Sequence, residues 1–156
     1  MARAGFYAVQ ATKIRFGGDG HWYADDEPIT NPRIAALFTK HLRREPDGHY
    51  VIRMGDEQAP VEVEDTAFVV VGLTQTAAGR FVLELNDETS EVLDPTGLEV
   101  GAGNVLYCRV KDGSERARFL RPAYYQLAPH INERDGGFLL RTGNETYPIR
   151  ESGQGD

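Results

Sequence analysis

Hydrophobic and polar positions alternate along much of this chain with a period of two, which is the period of a β-strand with one buried face. The alternation is cleanest at Phe81–Leu85, where every second residue is Phe or Leu. The apolar run Ala67–Leu73 predicts a more deeply buried strand. Turn signals such as Asp94–Gly97 separate these short runs. The pattern therefore predicts about ten short strands joined mostly by hairpins.

Two segments show the spacing of an amphipathic helix instead, and each begins at a proline. Asn31 is a favourable N-cap for a helix that starts at Pro32, where the missing N–H costs nothing. We predict this helix from Pro32 to about Arg44. A second helix starts at Pro122 and is cut short by Pro129. The apolar stripe of the first helix consists of Ile34, Leu37, Phe38 and Leu42. Hairpins combined with two helices predict an α+β fold with antiparallel sheets.

One stretch of the chain occurs twice. The segment Asp47–Glu62 and the segment that begins at Asp135 align without a gap at an offset of 88 (135 − 47). The prolines that open the two helices, Pro32 and Pro122, lie 90 residues apart (122 − 32). The sequence therefore predicts an internal duplication. The identical aligned positions are Asp47/Asp135, Gly48/Gly136, Arg53/Arg141, Gly55/Gly143, Glu57/Glu145 and Pro60/Pro148.

The duplication also predicts the domain organisation. Residues 12–75 and 76–150 are predicted to form two tandem repeats, each with antiparallel hairpins and one helix. A chain of 156 residues suits two small subdomains that share a core. The polar, Gly-rich end at 151–156 is predicted to be a disordered tail.

Charge and composition argue against several classes of protein. The chain has 24 acidic and 17 basic residues, and its net charge of −7 argues against a general nucleic-acid binder, which needs clustered Lys and Arg. Its single cysteine, Cys108, excludes an intrachain disulfide and a multi-Cys zinc site. No apolar run approaches the roughly 18 residues of a membrane span, and no signal-peptide pattern opens the chain. We therefore expect a cytoplasmic protein without a membrane partner.

One predicted hairpin carries a basic face. Asp112-Gly113 indicates a two-residue turn, which would place Arg109 directly opposite Arg116. Alternate positions, among them Cys108 and Ala117, would face the core. Like charges in opposite cross-strand positions destabilise a sheet, so carboxylates, water or an anionic ligand must relieve them. The residues of this predicted basic face are Tyr107, Arg109, Lys111, Ser114, Arg116 and Arg118.

Two interpretations of the basic face stay open. A solvated face whose charges pair with nearby Asp or Glu is normal for an antiparallel sheet. A basic, tyrosine-bearing face on an acidic chain also fits a surface that binds an anion or another protein. Arg121 follows the hairpin and would extend such a surface.

The other reactive side chains match no catalytic or metal-binding motif. His21, Asp25–Glu27, His41 and His49 lack the spacing of such motifs. Gly17–Gly20 lacks the Lys-Ser/Thr pair of a phosphate loop, and no serine stands in a Gly-x-Ser-x-Gly elbow. We therefore predict no catalytic residue, no metal and no cofactor.

Four segments resemble a bacterial family known as domain of unknown function 1285. They are Asp19–Tyr23, Leu42–Glu45, Val61–Asp65 and Arg121–Tyr125, and the likeness extends from Ile14 to Ile149. The resemblance implies an internally duplicated fold whose C-terminal half is similar to a small pleckstrin-homology-like barrel. It also implies a ligand or partner site where the two halves meet and a role in signalling, with no established reaction.

The leading hypothesis is a non-enzymatic binding or regulatory module for bacterial signal transduction. A groove between the repeats would take a protein segment or a small anionic ligand, held by aromatic anchors and by hydrogen bonds from arginine. Core packing is the alternative role of the aromatic residues, and stabilisation of a helix C-terminus is that of Arg43-Arg44. The predicted contact residues are Trp22, Tyr23, Arg43, Arg44, Tyr107, Arg109, Arg116, Arg118, Arg121, Tyr124 and Tyr125.

Two further functions stay open. An enzyme acting on a phosphorylated or carboxylated small molecule would need a carboxylate or a histidine, such as His41 or His49, beside the arginines. A homo-oligomeric scaffold would pair exposed strand edges between copies of the chain.

Overall fold

The structure, a computed structural model of the chain, describes residues 13–152. Within this range the chain divides into two compact units at the boundary between Thr66 and Ala67. Unit 1 comprises the described residues up to Thr66, and unit 2 comprises those from Ala67. Each unit is mainly β-sheet with one α-helix, which agrees with the predicted α+β class. Neither of the two helices in the described range is long and apolar enough for a membrane crossing.

Unit 1 consists of one sheet of six strands and one helix. Its elements are β1 (Ile14–Phe16), β2 (Trp22–Ala24), β3 (Glu27–Pro28), α1 (Pro32–Lys40), β4 (Leu42–Arg44), β5 (Tyr50–Met54) and β6 (Glu57–Val63). The strand order is β3-β2-β1-β6-β5-β4. Strands β1 and β6 are parallel, and the other neighbours are antiparallel.

The core of unit 1 is aromatic. Trp22 is 2% exposed, and its ring contacts Phe16 and Phe38 at centroid distances of 4.9 and 5.5 Å. The indole N–H donates to Thr39 Oγ1 at 3.0 Å, and the Thr39 hydroxyl donates to Ala35 O at 3.0 Å. The Thr39 hydroxyl therefore satisfies the buried indole N–H.

The first helix ends earlier than predicted, at Lys40 rather than near Arg44. His41 is its C-cap, and the His41 carbonyl accepts a hydrogen bond from Arg53 N at 3.0 Å. This long-range backbone contact starts the pairing of β4 with β5. Leu42 fits an apolar helical stripe and the buried side of a strand equally well, so the periodicity placed it in the wrong element.

Unit 2 builds one sheet of nine strands, also with a single helix. Its strands before the helix are β7 (Phe68–Gln75), β8 (Phe81–Leu85), β9 (Ser90–Val92), β10 (Glu99–Val100), β11 (Leu106–Val110) and β12 (Glu115–Phe119). The helix and later strands are α2 (Arg121–Leu127), β13 (Ile131–Arg134), β14 (Gly137–Thr142) and β15 (Glu145–Glu151). Short 3-10 turns lie at Pro95–Gly97, Ala102–Asn104 and Ala128–His130. The strand order is β13-β14-β15-β10-β11-β12-β7-β8-β9.

Helix α2 packs against β7. The register of β7 shifts between Val70 and Gly72, and Gln126 Oε1 accepts a hydrogen bond from Leu73 N at 2.8 Å. A glycine inside a strand is a common mark of such a bulge. As predicted, the helix is short, because it gives way to a 3-10 turn that contains Pro129. The fully buried residues of the unit 2 core include Leu83, Leu98, Val110, Ala117, Leu127 and Leu140.

Both sheets are mixed, so the prediction of antiparallel sheets was wrong in part. Three strand pairs are parallel: β1 with β6, β10 with β15, and β7 with β12. Parallel neighbours are joined by long connections, here several strands and, in two of the pairs, a helix. Hairpin signals are local, and they carry no information about pairings between distant strands.

Part of unit 2 has the same strand arrangement as unit 1. The order β12-β11-β10-β15-β14-β13 has the same neighbours and the same relative directions as β3-β2-β1-β6-β5-β4. The registers agree as well: Tyr50 pairs with Val61, and its sequence equivalent Phe138 pairs with Ile149. Strands β7 to β9 are additional to this arrangement.

The sheet of unit 2 is open. Its edge strands are β13 and β9, so the described strands do not close into the expected barrel. A looser similarity to pleckstrin-homology-like domains stays a prediction, as do the repeat boundaries 12–75 and 76–150. Of the predicted tail 151–156, Glu151 ends β15 and Ser152 follows it, and the remainder lies outside the described residues.

A first prediction concerns the buried hydrogen bond of Trp22. Replacing Thr39 by Val keeps the shape of the side chain but removes the acceptor, so Thr39→Val should lower the free energy of unfolding by about 1–3 kcal/mol. Thr39→Ser keeps the hydroxyl and should lose less. Because Trp22 is the only tryptophan, its fluorescence in a urea titration reports on unit 1. Equal stability of Thr39→Val and the native protein would contradict this account.

Candidate functional site

The candidate residue Tyr23 belongs to a closed polar network in unit 1. The Tyr23 hydroxyl donates to Asp19 Oδ2 at 2.7 Å, and the Arg15 guanidinium lies 4.1 Å from the centre of the Tyr23 ring. The hydrogen bond to Asp19 raises the pKa of Tyr23. Partial burial acts to raise the pKa of Asp19, but the Tyr23 hydroxyl and the His21 amide outweigh it and hold that pKa below its ordinary value.

Glu64, which follows β6, also belongs to this network. Its Oε1 accepts a hydrogen bond from Gly18 N at 2.7 Å, and its Oε2 lies 3.4 Å from Arg15 Nη1. The contacts join the segments Asp19–Tyr23 and Val61–Asp65 across the β1–β6 pair. The polar groups of Tyr23 and Arg15 are therefore engaged with each other and with carboxylates.

The other candidates in unit 1 are placed apart from one another. Trp22 lies in the core, whereas Arg43 and Arg44 lie exposed on β4 rather than at a helix terminus. Arg43 Nη1 still donates to the carbonyl of Lys40, the last helical residue, at 3.0 Å. Arg44 pairs opposite Tyr50 on β5. These positions do not converge on one cavity of unit 1.

The predicted basic hairpin of unit 2 has the expected register. Arg109 stands directly opposite Arg116, and Cys108 stands opposite Ala117. The turn is longer than predicted, because β11 ends at Val110 and four residues, Lys111–Ser114, connect it to β12. Lys111 has a positive φ of 56°, and the Glu91 carboxylate accepts a hydrogen bond from its backbone N–H at 3.1 Å.

A carboxylate relieves the predicted contact between like charges. Arg116 Nε donates to Glu99 Oε1 at 2.7 Å, and its guanidinium lies 3.6 Å from the centre of the Tyr107 ring. The Tyr107 side chain is 7% exposed beneath this stack. Arg109 is exposed. Arg116 and Tyr107 thus stabilise the sheet, which corresponds to the internally paired interpretation for these two residues.

Four of the predicted contact residues come together in one cleft of unit 2. The cleft has a volume of about 410 Å³ and lies where β12 leads into α2. Tyr125 is 64% exposed, and its ring lies 5.9 Å from that of Tyr124. We call this the basic cleft. Its lining consists of Arg118, Arg121, Tyr124, Tyr125, Gly103, Asn104, Val105, Leu106 and Phe119.

An apolar pocket of about 180 Å³ adjoins the basic cleft. The two cavities share three lining residues: Asn104, Leu106 and Tyr124. Phe138 stands at the apolar pocket with 44% of its surface exposed. The lining of this pocket consists of Val100, Asn104, Leu106, Tyr124, Ile131, Phe138 and Ile149.

Sequence reasoning missed several of these residues. Nothing local in the sequence marked Phe138 as part of a cavity. Asn104 has a positive φ of 62° and follows Gly103, whose φ is 70°. A Gly-Asn pair is a signal for a left-handed turn, which could have indicated this bend between β10 and β11.

A third cleft of unit 2, with a volume of about 500 Å³, is polar. Its charged lining residues are Arg80, Asp94 and Glu145. The Tyr147 hydroxyl donates to Glu145, and this hydrogen bond raises the pKa of Tyr147. With more acidic than basic groups, this polar cleft suits an anion less well than the basic cleft does.

The matched family agrees with the resemblance seen in the sequence. Residues 8–66 match the family model described as the N-terminal domain of a domain of unknown function, DUF1285. This match assigns the segment 8–66 to the DUF1285 N-terminal domain. The matched range contains the segments Asp19–Tyr23 and Val61–Asp65, which Arg15 links through its contacts with the Tyr23 ring and Glu64.

Two solved structures of DUF1285 family proteins share the fold. One, from Silicibacter pomeroyi DSS-3, has a TM-score of 0.69 and 21% sequence identity, over 90% of this chain and 80% of that chain. Another, from Shewanella baltica OS155, has a TM-score of 0.58 and 18% identity, over 76% of this chain and 92% of that chain. No curated protein matches the chain.

Among the described residues, the remaining reactive groups have local partners or are buried. Residues 13–152 contain no cluster of three His, Cys, Asp or Glu side chains that could hold a metal ion. His41 Nδ1 lies 2.9 Å from Leu37 O, and His49 Nδ1 lies 2.9 Å from Asp47 Oδ2. Cys108 is 1% exposed, and burial raises the pKa of its thiol to about 12.

A second prediction concerns this thiol. At pH 8 a pKa of about 12 leaves only about one thiol in 10⁴ ionised, and the thiolate is the reactive form. A disulfide reagent such as dithionitrobenzoate should therefore label the folded protein about 100-fold or more slowly than the protein in urea. Since Cys108 is the only cysteine, the labelling rate reports the opening of unit 2. Labelling of the folded protein as fast as a free thiol would contradict its burial.

Proposed function

We propose that this protein is a non-enzymatic binding module that holds a small organic anion on unit 2. The observation that carries the proposal is the junction of the two cavities, because Tyr124, Leu106 and Asn104 line both. An apolar group of the ligand would occupy the apolar pocket, and its charged group would face the basic cleft. A cavity with an apolar wall and a few convergent polar groups is the usual form of a small-molecule site.

The charges of the basic cleft favour an anion. Arg121 is exposed, and within residues 13–152 its side chain has no ion pair or hydrogen bond. Arg118 lines the same cleft. An arginine side chain binds a carboxylate or a phosphate through two parallel hydrogen bonds, which are among the stronger ones in proteins. On a chain with a net charge of −7, such a local basic site would direct an anion to this position rather than to the rest of the surface.

The lining residues support binding rather than catalysis. Among the described residues that line the two cavities, none is a histidine, carboxylate, serine or cysteine. General acid–base catalysis and covalent catalysis most often use such groups within hydrogen-bond reach of the substrate, and tyrosine, which does line the cavities, serves in them less often. A regulatory role in bacterial signalling, as the resemblance implies, would follow if the bound anion changes what the protein contacts.

We also propose that the two units descend from one duplicated module. The shared strand order, the shared directions and the equivalent pairs Tyr50–Val61 and Phe138–Ile149 support this origin. A groove between the repeats stays a prediction of the sequence. The site proposed here lies within unit 2 alone and does not depend on that groove.

A third prediction tests the binding function with four carboxylates: octanoate, benzoate, phenylacetate and indole-3-acetate. At least one should bind, and Arg121→Gln should raise its Kd about 10-fold or more, because a charge-assisted hydrogen bond is lost. Titration followed by nuclear magnetic resonance measures each Kd. Arg134→Gln removes the same charge from an exposed position on β13 and should leave the Kd unchanged.

Two outcomes would contradict this function. If no carboxylate binds, or if Arg121→Gln and Arg134→Gln have equal effects, the basic cleft is not an anion site. Arg109→Gln adds a test of the basic hairpin face, since a selective loss there would place the ligand on that face. A short acidic peptide that displaces no carboxylate and binds independently of Arg121 would favour the protein-segment alternative.

A further inference from the structure

The apolar pocket of unit 2 lies at positions that large side chains fill in unit 1. In unit 1 the pair Phe16–Trp22 joins β1 to β2, and Phe16 also pairs with Val63 on the parallel strand β6. In unit 2 the pair Val100–Leu106 occupies the same place in the same arrangement, joining β10 to β11. Two aromatic side chains of unit 1 thus correspond to two smaller aliphatic side chains of unit 2.

The other strand residues of the pocket have counterparts by the same pairing. Ile131 and Ile149 of unit 2 correspond to Leu42 and Val61 of unit 1, which are both buried. In unit 1 the buried Trp22 ring packs against Phe16 of β1 and Phe38 of α1. In unit 2 the corresponding space is open, and Phe138 and Tyr124 stand at it partly exposed.

The helix of unit 2 contributes only Tyr124 to the lining of this space. Helix α2 packs against β7, a strand without a counterpart in unit 1, and the hydrogen bond from Leu73 N to Gln126 Oε1 fixes it there. Protein interiors are close-packed, and an unfilled apolar cavity lowers stability. An apolar cavity of roughly 150 Å³ is known to take up a benzene molecule. The pocket of about 180 Å³ has room for one aromatic ring.

We infer that the ligand of unit 2 is an aryl carboxylate whose aromatic ring takes the place that the Trp22 indole holds in unit 1. This inference rests on the proposed binding function and names its ligand class. The ring would pack between Leu106 and Ile149 and meet the rings of Tyr124 and Phe138, for which offset or edge contacts are favourable. A short linker would carry the carboxylate to Arg121 in the adjoining basic cleft.

The test fills the pocket from within the protein. Leu106→Trp and Val100→Phe introduce the side chains that unit 1 carries at the equivalent positions, Trp22 and Phe16. Each should raise the Kd of indole-3-acetate about 10-fold or more. Slow labelling of Cys108 shows that unit 2 remains folded in each variant. Val92→Trp, which adds the same bulk to an exposed position in the polar cleft, should leave the Kd unchanged.

The nature of the apolar group is tested on the native protein. Indole-3-acetate and phenylacetate should bind more tightly than octanoate. Intermolecular nuclear Overhauser effects should join the ring protons to methyl groups of Leu106 and Ile149, which is a readout that needs no variant. Indole, which lacks the acid group, should bind in the same place but respond little to Arg121→Gln.

The outcomes separate the inference from the proposed function. If octanoate binds at least as tightly as the aryl acids, or if Leu106→Trp and Val100→Phe both fold and keep the native Kd, the aromatic ligand class is wrong while Arg121-dependent binding stands. Loss of binding in Val92→Trp alone would move the ligand to the polar cleft and overturn the inference. If no carboxylate binds in an Arg121-dependent manner, both the inference and the function fail.

Discussion

The parallel pairing of the first and last strands of each six-strand arrangement is the constraint on which the rest of the structure depends. Strand β6 lies beside β1, and β15 lies beside β10. A row of hairpins on its own would leave these ends apart. The pairing joins them into one sheet, so that residues from both ends of the arrangement meet above a common face. Leu106 and Ile149 line one pocket only because β10 and β15 are neighbours.

On this scaffold the size of two side chains decides whether the space above the sheet is filled or open. Phe16 and Trp22 close it in unit 1, and a buried hydroxyl satisfies the indole N–H. Val100 and Leu106 leave it open in unit 2. A vacant apolar cavity costs stability. The proposed ligand would offset this cost, and within residues 13–152 the neighbouring Arg121 has no ion pair of its own.

Local signals in the sequence predicted those parts of the fold that are local. The pairing of Arg109 with Arg116 follows from a turn signal and a period of two, and it is confirmed. The end of the first helix was predicted wrongly, because Leu42 satisfies two periodicities and a distant strand decides between them. The parallel pairs were missed for the same reason.

The candidate site was only half visible in the sequence. Its arginines and tyrosines attract notice by residue type, and four of them do share a cleft. The apolar pocket beside them exists because the side chains that line it leave space unfilled. Val100 and Leu106 look like ordinary core residues until the pairing aligns them with Phe16 and Trp22.

The surroundings of the arginines show how structural and binding roles can be told apart here. Tyr23 and Tyr107 occupy equivalent positions, and each carries a guanidinium over its ring, from Arg15 at 4.1 Å and from Arg116 at 3.6 Å. In each case a carboxylate, Glu64 or Glu99, pairs with that arginine. The two arginines come from different strands, β1 and β12. Both units nevertheless contain the same tyrosine–arginine–glutamate arrangement, which indicates that this arrangement stabilises the fold. Arg121 lies outside both arrangements and has no such carboxylate among residues 13–152, which is why the proposed anion site includes it.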